Sequence, residues 1–309
     1  MNRARATSLA LFVFFVATFM TASSASAYKR TQTCDSTGTY ACRPGETAKP
    51  IAWPVRCVQY RINKEGSAEF PRDPDGTIGD ELIGLVRDAF GTWNKPNCTD
   101  FKLVEGALTS ESKAQYKKDA GWTENLNVVV WRDNNWPYAM GTNTAFALTS
   151  VTYNSKDGVI ADADIEINSD TYDFTHLNKG QPGKTSKVDL LNTLTHEIGH
   201  FVGLDHPNLP AATMYGMAPT GEVKKRTLHQ DDINGLCAIY PGKTGDGHCD
   251  YPDDFVPPEE EEKTKKKGGC SCSTADAPRL PVLLVGVVIF AAGLRRRRVK
   301  RNHGPSETD

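Results

Sequence analysis

The sequence predicts an α+β domain: a mixed, twisted sheet packed against one long internal helix, with a further helix near its C-terminal end. Three observations carry this. Stretches of period-two hydrophobicity are short and β-branched, as half-buried strands require. Stretches of helical period are few and long, and they do not alternate with strands as parallel βα units would. Both kinds fall between residues 51 and 242, flanked by ends of quite different composition.

In chain order, WPVRCVQYRIN at 53–63 alternates well enough for a first strand. TIGDELIGLVRDAFGTWNK sets Ile78, Leu82, Leu85, Val86, Ala89, Phe90 and Trp93 at helical spacing. That helix opens near the Asp75-Gly76 turn and must end before Pro96. NVVVWRD at 127–133 is a short, buried-looking strand, and strands at 147–153 and 159–167 are joined by the turn NSKDG. SKVDLLNTLTHEIGHFVGL is a strong helix pattern ending at Gly203. A last helix over 229–239 opens on HQDD, whose acids suit a helix N-terminus. No internal repeat is visible.

The 309 residues, with a formal charge of −2 and 39% hydrophobic composition, allow one sizeable domain plus appendages. There is no basic surplus to neutralise phosphates, which argues against a nucleic-acid partner. Residues 1–27 carry two arginines, an apolar core and small residues closing on Ala25-Ser26-Ala27. This is the build of a secretory signal peptide, with cleavage expected after Ala27. Residues 28–50 follow as a short N-terminal segment. Eight cysteines suit an exported, oxidised chain. Cys34, Cys42, Cys57, Cys98, Cys237 and Cys249 can make three disulfides, in one of about 15 pairings.

Beyond Tyr240-Pro241-Gly242 the composition turns polar and charged, and residues 243–269 read as a flexible tether. The segment 270–309 then brings Cys270 and Cys272 in GGCSC, an apolar run predicted as a helix over about 280–294, and four arginines from Arg295 to Arg298. The run is marginal against the roughly 20 residues a spanning helix wants. The arginines after it favour the cytoplasmic side. This tail resembles the myxobacterial C-terminal sorting signal (MYXO-CTERM), with all three parts in order over residues 268–298. The resemblance implies export and sorting machinery as partners, membrane association through this segment, processing near Cys270 or Cys272, and delivery to the cell surface.

The chemistry concentrates in HEIGHFVGLDH, residues 196–206, which holds three of only 7 histidines. On a helix His196 and His200 lie four apart and project from one face. Both imidazoles can reach one ion at about 2.0–2.1 Å. Gly203, without a Cβ, lets the chain turn sharply and bring back His206 as a third ligand. Three nitrogens leave the fourth position of a tetrahedral zinc ion open, which marks a catalytic site. Glu197, beside the metal without binding it, suits the general base of peptide-bond hydrolysis. A bare HExxH recurs by accident, but the extended form fixes five positions, and no nearby cysteine offers the fourth ligand of a closed structural site.

This extended motif is the metzincin signature, which carries a methionine turn downstream. Here ATMYG places Met214 eight residues after His206, as an apolar floor to the histidines. Within the metzincins the chain resembles the matrixins, from LTHEIGHFVGLDH through ATMYGM to LHQDDINGLCAIYPG. Weaker likeness at VQYRIN, AFGTW and DADIEIN extends it over about residues 52–242. Gly216 stands where astacins and serralysins have a tyrosine. The resemblance implies a zincin-like catalytic domain with one catalytic Zn2+ on His196, His200 and His206, Glu197 as base and Met214 beneath. It also implies a protein or peptide substrate.

The departures carry expectations too. Val151 and Asp164 stand at positions matching the second, structural zinc of matrixins, so that zinc is not expected. Ca2+ could be held by Asp162, Asp164 or Glu166, which ordinary surface solvation explains equally well. The cysteine-switch motif PRCGxPD is missing; ACRPGE around Cys42 is only superficially like it, and a disulfide is the expected state of Cys42.

The expected protein is therefore a monomeric, exported, surface-held zinc endopeptidase. Its substrate would pair antiparallel with an edge strand running through Leu148, Thr149, Ser150, Val151, Thr152 and Tyr153. The loop from Met214 to Pro219 and Asn192 would shape its pocket. Two rivals remain open. A binding module that keeps zinc as a brace would have no use for Glu197, and a peptidase for cell-wall amide bonds is separable only by substrate.

Overall fold

Alternation decides the first strand of the main sheet: Val58, Tyr60 and Ile62 are buried while the residues between them are half-exposed. The computed structural model describes residues 27–35, 41–117, 125–138, 144–178, 182–242, 249 and 290–291. Its elements are β1 (Lys29–Arg30), β2 (Cys57–Ile62), α1 (Asp80–Trp93), β3 (Lys102–Glu105), β4 (Val128–Trp131), β5 (Ala147–Tyr153) and β6 (Ile160–Ile167). After these come β7 (Phe174–Thr175), β8 (Val188–Asp189), α2 (Leu190–Phe201), β9 (Leu204–Asp205), β10 (Met217–Ala218), α3 (Gln230–Ile239) and β11 (Phe290–Ala291).

The five-stranded sheet runs in the order β3-β2-β4-β6-β5. The pairs β2/β3, β2/β4 and β4/β6 are parallel, and β5 runs antiparallel to β6 at one edge. This is the mixed sheet of the expected α+β class. Helices α1 and α2 pack on each other, α1 also meeting β3 and α2 meeting β5. Two tryptophans fasten α2 to its surroundings: Trp93 Nε1 donates to the Thr195 carbonyl and Trp53 Nε1 to that of Phe201, both at 2.8 Å. Phe90 stacks on Tyr60 with centroids 3.5 Å apart and meets Phe201 edge-on. Burying each such ring contributes about 1.5–3 kcal/mol.

Strands β4, β5 and β6 and helix α3 fall within a residue or two of where the hydrophobic pattern predicts them. Helix α1 begins later, at Asp80, because the Asp75 carboxylate accepts from the backbone N–H and hydroxyl of Thr77 and holds that stretch as a turn. Strand β3 has no counterpart in the sequence reading. It has only four residues, and the side chain of Asn94 fixes it by bonding both the N–H and the carbonyl of Leu103.

The six body cysteines form Cys34–Cys42, Cys57–Cys249 and Cys98–Cys237. Cys42 is thus a disulfide partner, and Cys249, in the stretch predicted as a tether, is bonded back to β2. The signal-peptide stretch before Ala27 and the GGCSC motif lie outside the described residues. So does the apolar run, except Phe290–Ala291, which is a strand paired in parallel with Met217–Ala218. Among the described residues no helix is long and apolar enough to cross a membrane.

Candidate metal centre

Helix α2 is an apolar stripe of Leu190, Leu194, Ile198 and Phe201 carrying polar residues between. All of its residues but Leu191 are buried. Asp189 caps its start by accepting from Asn192 N at 2.8 Å, and the Arg226 guanidinium pairs with the same carboxylate. The helix closes at Phe201 and the chain turns at Gly203, whose φ is 98°. A Cβ at Gly203 would also stand 2.9 Å from the Ile51 carbonyl oxygen. That turn sends β9 back beneath the helix and delivers His206.

The three Nε2 atoms of His196, His200 and His206 lie 3.0–3.2 Å from one another. His196 Nδ1 is 2.6 Å from the Thr213 carbonyl oxygen, and His200 Nδ1 is 2.8 Å from that of Leu204. A carbonyl only accepts, so both Nδ1 atoms carry the proton and both Nε2 atoms present lone pairs. Burial above all holds the three imidazoles below their ordinary range, His200 at about 4 and His206 at about 2, so they are neutral near pH 7. Lone pairs facing one another in a buried site repel unless a cation lies between them. The donor set therefore fits a metal ion, with ring orientations set by backbone carbonyls. It is the only group of this kind among the described residues.

Glu197 is fully buried beside these rings. The Thr149 hydroxyl donates to its Oε2 at 2.7 Å, while Oε1 has no hydrogen-bond partner. Burial pushes the carboxyl up to about 8, against the opposing pulls of the Thr149 hydrogen bond and the Lys225 charge. A divalent cation at the histidines would pull it down again.

The support comes from α3. Asp232 accepts from the backbone N–H of Thr213, Met214 and His229 at 2.8, 3.0 and 2.9 Å, which fixes the carbonyl that orients His196. Met214 is packed so closely under α2 that a Cβ on Gly199 would fall 2.0 Å from its sulfur. At Gly216 a Cβ would stand 2.6 Å from His206 Nδ1, so glycine there leaves room for the ring.

The comparisons with known proteins agree with this geometry. The family model described as Matrixin, of the peptidase M10 group, matches residues 58–241. The chain belongs to the matrixin family. It is 29% identical over 170 residues to metalloendoproteinase 2-MMP of Arabidopsis thaliana, covering 54% of this chain and 39% of that protein. It is 36% identical over 181 residues to human matrilysin, covering 55% and 60%. Against human neutrophil collagenase the figures are 26% over 160 residues, 52% and 29%. The matched stretch thus spans less than two thirds of each of these relatives. Family membership gives the metzincin-like fold and implies zinc as the metal.

This matrixin brings the remaining sequence-predicted residues into two places. Leu148 to Tyr153 lie in β5, whose outer side has no strand partner among the described residues. Asn192 is buried on α2 and accepts from the backbone of Lys225, itself buried, whose ammonium bonds the carbonyls of Tyr215 and Met217. Burial lowers that ammonium to about 8.

One expectation needs correction. Asp162, Asp164 and Glu166 are not solvated surface acids, being 2%, 1% and 1% exposed. Across the β5/β6 ladder Asp164 stands opposite Ser150, and Val151 opposite Ala163 on the other side of the sheet. Thr213, Asp232 and Lys225, and the hydroxyl of Thr149, were not legible as parts of the site, because each acts through a contact made far along the chain. The N-terminal segment was not either: β1 pairs with β9, and the Ala27 and Tyr28 N–H groups donate to Asp231.

Proposed function

We propose that this chain is an exported zinc-dependent endopeptidase in which Glu197 is the general base. The observation that carries the reading is the convergence of the His196, His200 and His206 Nε2 atoms next to a buried carboxyl with one unengaged oxygen. Three protein nitrogens leave a tetrahedral ion one open position, which suits catalysis rather than bracing. Zinc held there supplies Lewis acidity toward the scissile carbonyl. Glu197 Oε1 takes a proton from the attacking water and returns it to the leaving amine, so no covalent enzyme intermediate is needed. A peptide lies along β5 by main-chain pairing, which gives broad recognition, and the Met214 to Pro219 loop with Asn192 sets the pocket preference.

The three disulfides support an oxidising compartment. On this reading residues 1–27 direct export. The tether and the Cys270/Cys272 tail hold a monomeric enzyme at the cell surface, from which it is released if residues 268–309 are removed.

Glu197→Gln keeps shape but cannot take a proton. Its zinc content and thermal unfolding should match wild type, while hydrolysis of casein or a quenched peptide falls by about 10²–10⁴-fold. Equal rates for the two proteins would remove Glu197 from the mechanism. A wild-type protein fully loaded with zinc and inactive on every peptide would make the binding module the better reading. Cleavage of cell-wall peptides alone would favour the amidase.

A further inference from the structure

A general base works only if its accepting oxygen is aimed, and a carboxylate held at neither oxygen is free to rotate. We propose that Thr149 is the positioning residue for Glu197: its hydroxyl anchors Oε2 and thereby keeps Oε1 directed at the water. The inference rests on the peptidase reading above and adds a residue to it.

Thr149 is fully buried on β5. Its Oγ1 is 2.7 Å from Glu197 Oε2 and 3.1 Å from the Glu197 carbonyl oxygen. A hydroxyl has one proton to donate, and the nearer, charged oxygen is the stronger acceptor. Oε1 has no partner. One oxygen of the carboxylate is thus held by the protein and the other left for the reacting proton.

The anchor is itself rigid. Thr149 sits opposite Ile165 in the β5/β6 ladder, and β-branching stiffens its χ1. The same residue lies on the strand whose outer edge is proposed to pair with the peptide. Its backbone therefore belongs to the edge that registers the substrate, while its side chain registers the base. A shift of substrate relative to β5 is then also a shift relative to Glu197 Oε1, which couples peptide register to proton transfer.

The test compares Thr149→Val, Thr149→Ala and Thr149→Ser with wild type in the full chain, by kcat and KM on a quenched peptide, zinc content and thermal unfolding. Losing one hydrogen bond to a charged group should lower kcat by about 10–100-fold for Val and Ala. KM should stay within about threefold, because the hydroxyl does not bind substrate. Thr149→Ser, which keeps the donor, should return kcat to within about fivefold of wild type. In a Glu197→Gln background, Thr149→Ala should cost little more, since the hydroxyl acts through the carboxylate.

A merely structural threonine would give Ser and Ala variants of equal kcat, or a deficit that is additive with Glu197→Gln, and either result overturns the proposal. If the Val variant does not fold or does not load zinc, the Ala-against-Ser comparison decides alone. A wild type that is zinc-loaded and inactive refutes the peptidase reading instead, so the two failures are distinct.

Discussion

Helix α2 and strand β6 each crowd three ionisable side chains into a few buried residues, yet they do so in opposite ways. On α2, backbone carbonyls take the Nδ1 protons of His196 and His200, so their Nε2 lone pairs converge with that of His206. On β6 the partners diverge. Glu166 is paired with Arg132 and Tyr138, Asp164 accepts from Val128 N, and Asp162 keeps one oxygen without a partner. Proximity of titratable groups is common to both. What suits one of them to hold a metal is that neighbours fix each group so its free lone pair points to a shared centre.

The sharpest way to break this contrast is to remove a donor. His196→Ala, His200→Ala or His206→Ala should each lose the zinc and take peptide hydrolysis to about a thousandth of wild type or less. Chelation of wild type should do the same, and zinc should restore it. Elemental analysis that finds full zinc in all three variants would refute the ligand set.

The next effect should come from the fixing neighbours. Asp232→Ala strips the acceptor from three backbone N–H groups and frees the Thr213 carbonyl that orients His196. Each buried orphan costs about 1–3 kcal/mol. Loss of an outer partner of a metal ligand typically weakens metal binding by about 10–100-fold. Competition against a chelator and thermal unfolding measure the two separately. Unchanged zinc affinity with lowered stability would limit Asp232 to capping α3.

The contrast also marks what the sequence could say. The three histidines and Glu197 were legible because their spacing on one helix and one turn sets the geometry locally. The main strands were legible because β4, β5 and β6 carry enough β-branched residues to show their period. The supports were not: Thr149 lies 48 residues from Glu197, and Asp232 lies 18 from Met214, with no local pattern linking them. The acids of β6 misled for a related reason. Asp-Ala-Asp-Ile-Glu-Ile alternates like a strand with one solvated face, yet that face is buried too, with the side chains of Arg132 and Tyr138 closing on Glu166.

The smallest effect concerns those acids, and it tests whether β6 is an acid cluster without a cation rather than a second metal-donor set. Burial raises Asp162 to about 7 and, together with the nearby Asp162 charge, raises Asp164 well above its ordinary value. Carboxyls raised in the folded state keep protons that the unfolded chain gives up above about pH 4. The folded state then binds more protons than the unfolded one, so stability falls as pH rises through the window from about 4 to 7. Asp164→Asn fixes one member neutral, keeps an acceptor for Val128 N and removes the like charge. Relative to wild type its unfolding midpoint should be higher by a few °C at pH 8, by about 2–4 °C per kcal/mol for a domain of this size. The difference should shrink as pH falls and approach zero below about pH 3, where both wild-type carboxyls are protonated in either state. Comparing variant with wild type at each pH cancels what acid does at the distant histidines. Calcium held between ionised carboxylates makes the reverse demand: the Asn variant would be less stable at pH 8, and added calcium would raise the wild-type midpoint. Either outcome would place a cation on β6 and erase the distinction drawn from α2.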